Sequence, residues 1–341
     1  MELKKLGWDD YYQTLFSKYN NGVYIPGRVS IEHKNMYQVL TEDGEFLAEI
    51  NGKFKAEGRV DYPAVGDWVV LELRPGTDRC SIHAILNRRS KFTRKMAGKK
   101  TDEQIVAANI DTVFIVSSLN SDLNIRRIER YLTQVWDSGA NPVVVLNKLD
   151  ICDNVEELVR EVENTAFGVP VHAISCLEKN GLEKMNSHLE LGKTIALIGS
   201  SGVGKSSIIN ILMGEEIQKT SDIRDDGKGR HTTTHRELLL LPSGTVIIDT
   251  PGMRELQLWD DGDGLSGTFA DIEELATQCK FTDCRHDTEP DCAVKEAIED
   301  GRLTPERLKS YRKMLRELMY LELKKSKANY DKIKWDMIYG K

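Results

Sequence analysis

The sequence predicts an α/β protein in three parts: a small β-barrel, a parallel α/β sheet, and a helical C-terminal module. Three observations predict this. Short β-type runs broken by turn residues fill Val23 to Leu86, strands alternate with helical stretches from Asp111 onward, and a Cys/His cluster follows Leu275. A length of 341 residues accommodates two or three domains. With 40% apolar and 30% charged positions, disordered, collagenous and fibrous classes are excluded. No apolar run approaches the roughly 20 residues of a membrane span, so no membrane partner is expected. Glu2, Asp9 and Asp10 leave no apolar core for a secretory leader. Six cysteines are too few for a disulfide scaffold, and three of them crowd into positions 279–292, so a cytoplasmic location is expected.

Residues 1–20, rich in aromatics (Trp8, Tyr11, Tyr12, Phe16, Tyr19), read as a helical extension. Over 21–90 the runs Val23–Ile31, Met36–Leu40, Phe46–Ile50, Asp67–Leu73 and Cys80–Leu86 predict five short strands. Asp43-Gly44, Asn51-Gly52 and Pro75-Gly76 separate them. An OB-type barrel fits, and an SH3-like barrel reads much the same way. A basic linker over 91–108 precedes the α/β domain of 109–265. There Thr112–Ser117, Pro142–Leu146, Pro170–Ile174 and Thr194–Ile198 read as strands, with helices near Ile125–Trp136, Val155–Thr165 and Leu182–Leu189. Arg236–Leu241 and Thr245–Ile248 flank Pro242-Ser243-Gly244 as a hairpin. In 266–341, Thr304 can cap a helix that carries Leu308, Tyr311, Leu315 and Leu318 on one face.

The net charge of −7 is unevenly spread. Residues 1–100 carry +4, residues 101–301 carry −18, and residues 302–341 carry +7. Such a protein does not coat nucleic acid along its whole surface but can touch a polyanion at its ends. Arg88, Arg89, Lys91 and Arg94 head the densest basic stretch, which reads either as a solvated linker or as an RNA contact.

Gly199-Ser200-Ser201-Gly202-Val203-Gly204-Lys205-Ser206 fits G-x-x-x-x-G-K-[ST]. An apolar strand leads in and a helix beginning with Ser207 leads out. In this setting the glycines let backbone N–H groups point at phosphates, Lys205 reaches the β/γ-phosphates, and Ser206 ligates Mg²⁺. Asn147-Lys148-Leu149-Asp150 resembles the guanine-specificity motif of translation-factor-related GTPases. The Asp150 carboxylate can accept N1–H and N2–H of guanine, and adenine lacks both donors. Ser175-Cys176 resembles the base-backing S-A element, with one small residue exchanged for another. Asp249-Thr250-Pro251-Gly252 resembles D-x-x-G, with Asp249 toward Mg²⁺ and the Gly252 N–H toward the γ-phosphate. Gly229–Thr234 lies where switch I belongs, and Thr233 is the threonine taken to reach Mg²⁺.

The order is rotated. The N-K-x-D and S-A-like elements precede the phosphate loop, switch I and D-x-x-G, which is a circular permutation. The chain therefore leaves switch II directly for Cys279-x4-Cys284-x-His286-x5-Cys292, three thiolates and an imidazole that complete a closed tetrahedral set for one structural Zn²⁺.

Taken together, the permuted order, the G-R-H-T-T-T segment, the barrel in front and the Cys/His module behind resemble the small-ribosomal-subunit-dependent GTPase A (RsgA, or YjeQ) family over residues 20–320. The resemblance implies an OB-fold, a permuted GTPase domain and a zinc-binding domain. It also implies a bacterial cytoplasmic GTPase that acts late in 30S maturation, contacts 16S rRNA, and is stimulated by that subunit as it turns GTP into GDP and phosphate. A monomer is expected. Met253 stands where Ras-like enzymes carry the water-orienting Gln, so slow intrinsic turnover is expected. His231 is the switch I candidate for that task, its alternative being an rRNA contact. A GTP-binding RNA scaffold that does not depend on hydrolysis is the rival reading; a zinc-finger DNA regulator lacks a recognition helix.

Overall fold

A computed structural model of the chain describes residues 2–33, 36–50, 62–74, 77, 79–95, 103–214, 237–249, 263–320 and 323. Five strands form the barrel: β1 (Tyr24–His33), β2 (Met36–Thr41), β3 (Gly44–Ile50), β4 (Trp68–Leu73) and β5 (Arg79–Ile85). β1–β2, β2–β3, β4–β5 and β1–β4 pair antiparallel, and a parallel β3–β5 pair completes the closure. That closed order β1-β2-β3-β5-β4-β1, with β3–β5 its parallel pair, decides for the OB type. Strict alternation on β2 turns Tyr37 and Val39 inward onto Val29, Ala48, Val69, Leu71 and Ile82.

β4 is buried at four successive residues, because both of its faces are covered. Val69 and Leu71 face the barrel interior. Trp68 and Val70 lie under Leu6, Tyr12 and Phe16 of the N-terminal segment. That segment is a 3₁₀ turn (Leu3–Leu6) followed by α1 (Asp10–Phe16), whose first turn is capped by the Asp9 carboxylate accepting from the Tyr11 and Tyr12 N–H groups at 3.1 and 3.3 Å. Residues expected as an extension thus wall the barrel. The expected linker 91–108 also differs: β6 (Lys91–Lys95) and β7 (Glu103–Ala108) form an antiparallel ribbon. The apolar set Phe92, Val106 and Ala107, which the basic residues mask in the sequence, holds this ribbon against the central core.

The central sheet runs β10 (Val171–Ala173), β9 (Asn141–Asn147), β8 (Thr112–Ser118), β11 (Thr194–Ile198), β13 (Val246–Asp249), β12 (Glu237–Leu240). All pairs are parallel except the β12–β13 hairpin. Strands β8, β9 and β11 are buried almost throughout, as a sheet covered on both faces requires. The helices are α2 (Ile125–Ser138), α3 (Val155–Thr165) and α4 (Lys205–Met213); Leu182–His188 is a 3₁₀ helix. Asn124 caps α2 through the Arg127 N–H at 3.0 Å, and Gly139, at φ 83°, ends it. The Ile31–Glu237 pair joins β1 to β12, so barrel and sheet meet edge to edge.

The C-terminal module comprises α5 (Asp263–Thr268), α6 (Ala270–Ala276), α7 (Ala293–Glu299) and a helix over 305–320, α8. Thr304 caps α8 through the Arg307 N–H at 3.2 Å. Phe269, Ile272, Val294, Tyr311 and Met314 form its core. It lies along α2. The buried Arg307 guanidinium donates to Glu129 at 2.9 Å, to Asp271 at 3.0 and 3.1 Å, and to the Thr268 carbonyl at 2.7 Å. Gly264 permits the close approach, since a Cβ there would stand 2.2 Å from the Thr133 carbonyl.

One side chain ties the remaining joint. Arg28 of β1 is 1% exposed, and its guanidinium donates to the carbonyls of Leu6, Gly66 (3.2 Å) and Asn109 (3.2 Å) and to the Thr194 hydroxyl (2.8 Å). It therefore connects the N-terminal segment, the barrel, the ribbon's exit and β11. Lys has one point charge and cannot match this fork. Because the Asn109 amide also holds the Gly66 carbonyl, at 3.0 Å, Arg28→Lys is expected to leave at least one buried carbonyl unpaired and to cost about 1–3 kcal/mol, measured by urea unfolding of the full chain.

Candidate functional site

The parallel strands bring their C-terminal ends to one edge of the sheet, where open α/β sheets bind ligands. β11 runs into the glycine-rich loop, β9 ends at Asn147, β13 ends at the half-buried Asp249, and Ser175 follows β10 by two residues. The loop backbone is left-handed at Gly202 (φ 79°) and Gly204 (φ 105°), conformations that favour glycine. A Cβ at Gly199 would stand 2.1 Å from the Val116 carbonyl. Val203 is buried and anchors the loop, while Ser201 and Gly202 are exposed. α4 starts at Lys205, with Ser206 and Ser207 in its first turn, so its positive end faces the loop. The Lys205 ammonium donates to the carbonyls of Gly199 (2.8 Å) and Ser200 (2.5 Å), which lays the side chain across the cradle.

Asn147 joins the separate motifs. Its amide donates to the Val203 carbonyl at 2.8 Å, and its oxygen accepts from the Cys176 N–H at 3.1 Å. The phosphate loop approaches so closely that a Cβ at Gly204 would meet the Asn147 amide nitrogen at 2.1 Å. Lys148 takes a left-handed conformation (φ 70°), and the Leu149 N–H donates to the Ile174 carbonyl at 3.0 Å. The Ser175 hydroxyl donates to the Asp150 carboxylate at 2.5 Å, which fixes the acceptor pair of that carboxylate. Burial pushes the Cys176 thiol up to about 11, so this side chain stays neutral beside Asp150.

Arg127, at the start of α2, is a contact that sequence reasoning missed. Its guanidinium donates to the Ser200 hydroxyl and is held by Asp122 at 3.1 and 3.2 Å. No motif signals it, because the contact exists only once the β8–α2 loop meets the phosphate loop. His231, Thr233, Gly252 and Met253 lie outside the described residues.

The basic cluster expected over Arg88–Arg94 is divided by the fold. Arg88 makes a two-pronged bond to the buried Asp67 at 2.6 and 2.7 Å and braces the barrel. Arg89 pairs with Asp9 at 2.6 Å and lies over the Tyr11 and Tyr12 rings. Lys91 stays exposed on β6, and Arg94 lies farther along the same strand.

In the C-terminal module the ligand atoms of Cys279, Cys284, His286 and Cys292 all lie within 4.8 Å of one another. The Cys279 and Cys292 sulfurs are 3.8 Å apart, and His286 Nδ1 stands 3.6 and 3.4 Å from them. A tetrahedral Zn²⁺ with Zn–S near 2.3 Å sets its sulfurs about 3.8 Å apart, so the cluster fits that ion. Arg312 pins the loop by donating to the carbonyls of Arg285 (3.3 Å) and His286. All six cysteines are free thiols. Among the described residues no helix is long and apolar enough to cross a membrane.

The sequence profile of the RsgA GTPase family matches residues 85–259. The Small ribosomal subunit biogenesis GTPase RsgA 1 of Oceanobacillus iheyensis is 49% identical over 326 residues, covering 94% of this chain and 93% of that protein. The crystal structure of YjeQ from Thermotoga maritima superimposes with a TM-score of 0.66 at 30% identity, covering 87% of this chain and 99% of that one. YloQ, a circularly permuted GTPase, shares the fold with a TM-score of 0.64 at 24% identity, covering 88% and 97%. A family profile over half of the chain, a relative 49% identical over almost its whole length and a YjeQ structure of the same fold together show that the chain belongs to the RsgA family of GTP-hydrolysing enzymes.

Proposed function

We propose that this GTPase binds the 30S ribosomal subunit, acts late in its maturation, and hydrolyses GTP to GDP and phosphate faster when docked there. The observation that carries the nucleotide half is the pair of hydrogen bonds by which Asn147 donates to the Val203 carbonyl and accepts from the Cys176 N–H, uniting phosphate loop and base loops from distant parts of the chain. The names of the relatives support the ribosomal half. The positive ends of an otherwise acidic chain support rRNA contact, with Lys91 and Arg94 on the ribbon as contact residues and Arg88 and Arg89 serving mainly as braces. The chain acts as a monomer in the cytoplasm.

Asp150 accepts N1–H and N2–H of guanine, and Ser175 and Cys176 back the base. The loop from Gly199 to Gly204 cradles the phosphates through its N–H groups. Lys205 exchanges its two carbonyl partners for phosphate oxygens. Ser206, Thr233 and Asp249 hold Mg²⁺, which neutralises charge on the β- and γ-phosphates. Gly252 meets the γ-phosphate, and His231 orients the attacking water. One Zn²⁺ on Cys279, Cys284, His286 and Cys292 gives the C-terminal module its fold. Since that module packs along α2 and Arg127 of α2 touches Ser200, docking of the module on the subunit bears on the phosphate loop as well as on switch II.

Asp150→Asn is expected to weaken GTP binding by a factor of ten or more and to gain xanthosine triphosphate, whose base replaces a donor with an acceptor; competitive nucleotide titration measures both. Freshly purified protein is expected to contain about one zinc per chain by metal analysis. Chelation is expected to expose amides near 270–300 to hydrogen exchange while guanine nucleotide still binds. Single-turnover hydrolysis with and without saturating 30S subunits tests the function itself: the subunit is expected to accelerate wild type. His231→Ala is expected to bind nucleotide and subunit normally yet lose most of that acceleration, a positioning effect worth several kcal/mol. Equal rates for the two proteins on the subunit remove His231 from the catalytic role.

A further inference from the structure

The phosphate loop is clasped on both of its limbs by side chains from neighbouring elements. The trailing limb is held at Val203, whose carbonyl accepts from Asn147 at the end of β9 at 2.8 Å. The entering limb is held at Ser200 by two cations. Lys205 donates to the Ser200 carbonyl at 2.5 Å, and Arg127 donates to the Ser200 hydroxyl. Among the described residues nothing else bonds to Ser200. Between the two limbs, Ser201 and Gly202 are exposed.

The two cations at Ser200 differ in what a nucleotide does to them. Lys205 belongs to the G-K-S motif, and in the proposed mechanism it exchanges its carbonyl partners for phosphate oxygens. Its tie to Ser200 is then lost just when the loop has to keep its cradle. Arg127 is anchored away from the ligand. Its Nη1 also donates to both oxygens of the Asp122 carboxylate, at 3.1 and 3.2 Å. Asp122 is fixed in turn, since its N–H donates to Asn120 Oδ1 at 3.0 Å and that oxygen accepts from the Ser118 hydroxyl at 2.8 Å. The Leu119 N–H, donating to the Asn147 carbonyl at 2.8 Å, ties the same loop to β9. The Arg127 backbone lies in the first turn of α2, where the Asn124 side chain caps it.

This pair is a weak stabiliser of the fold. The Arg127 and Asp122 side chains are 35% and 42% exposed, and ion pairs so open to water contribute little to folding. What the arrangement does hold is a loop conformation, and a loop ordered before its ligand arrives lowers the ordering cost of binding. We propose that Arg127 is a positioning residue of the GTPase. Acting through the Ser200 hydroxyl, it keeps the entering limb of the phosphate loop in its binding shape once Lys205 has turned to the phosphates. The inference rests on reading Gly199 to Ser206 as the phosphate loop. A single nitrogen, Nη1, makes all three contacts, so the point charge of a lysine can replace it.

The test is fluorescence titration of mant-GDP and of a non-hydrolysable mant-GTP analogue into the full-length zinc-loaded protein, with urea unfolding of each variant alongside. Arg127→Met is expected to weaken both nucleotides about tenfold, as loss of a charge-assisted hydrogen bond does, with the unfolding midpoint of wild type. Arg127→Lys is expected to stay within about threefold of wild type. Ser200→Ala is expected to weaken binding as Arg127→Met does, and the two together no further than either alone, the non-additivity of side chains that act as one. Equal affinity in wild type and Arg127→Met, or effects of Arg127→Met and Ser200→Ala that add in full, overturns the inference. So does an affinity loss that lysine does not restore and that comes with a lower unfolding midpoint, which makes Arg127 a residue of the fold. Failure of wild type to bind either nucleotide removes the phosphate-loop assignment itself and this inference with it.

Discussion

The architecture depends on a buried guanidinium. Arg28 lies where the N-terminal segment, the barrel and the central sheet converge, and its four bonds reach one acceptor or more from each. Backbone carbonyls of Leu6, Gly66 and Asn109 converge there, that of Gly66 also accepting from the Asn109 amide at 3.0 Å, so the fork of donors turns three chain segments into one rigid corner. Close backbone contact accompanies it. A Cβ at Gly7 would stand 2.6 Å from the Gly192 carbonyl, and one at Gly66 would stand 2.2 Å from that of Ala108. Both glycines have positive φ, so the corner depends on residues with no side chain to accommodate. The Trp68 ring, 5.6 Å from the guanidinium, closes the remaining side.

A second tie has different chemistry. Arg307 has two carboxylates, Glu129 and Asp271, so the contact between the C-terminal module and α2 is a paired, buried network. Removing either partner leaves a buried charge, which makes this interface hard to open piecemeal. Between the two ties lies the nucleotide edge. α2 carries Arg127 at one end, against Ser200, and packs against the module along the rest of its length. Permutation is compatible with this arrangement because a parallel sheet needs its strands in spatial, not sequential, order. β8, β9 and β11 hydrogen-bond the same way whichever motif the chain visits first.

The sequence by itself determined the ladder of elements and the chemistry of the motifs. The five barrel strands, β8, β9, β11 and the β12–β13 hairpin lie within a few residues of the positions that alternation, apolar runs and Pro-Ser-Gly turn chemistry indicated, because those are local signals. Gly199 to Ser206, Asn147 to Asp150 and the Cys/His spacing were legible for a similar reason: phosphate cradling, guanine reading and metal ligation each demand particular residue types at fixed intervals.

Only the tertiary structure decided how charges and aromatics are used. Arg28 reads as one more basic residue in a strand, and Arg88 and Arg89 read as part of a free basic run, until folding sets Asp67 and Asp9 beside the latter two. Residues 1–20 read as an appendage until Trp68 and Val70 offer a second apolar face on β4. Phe92 and Val106 read as incidental within a linker until the ribbon meets the sheet core. In every case the deciding partner lies far away in the chain. A charge or a ring shows its chemistry in the sequence, but its partner is set by which distant surfaces the fold brings within a few ångströms.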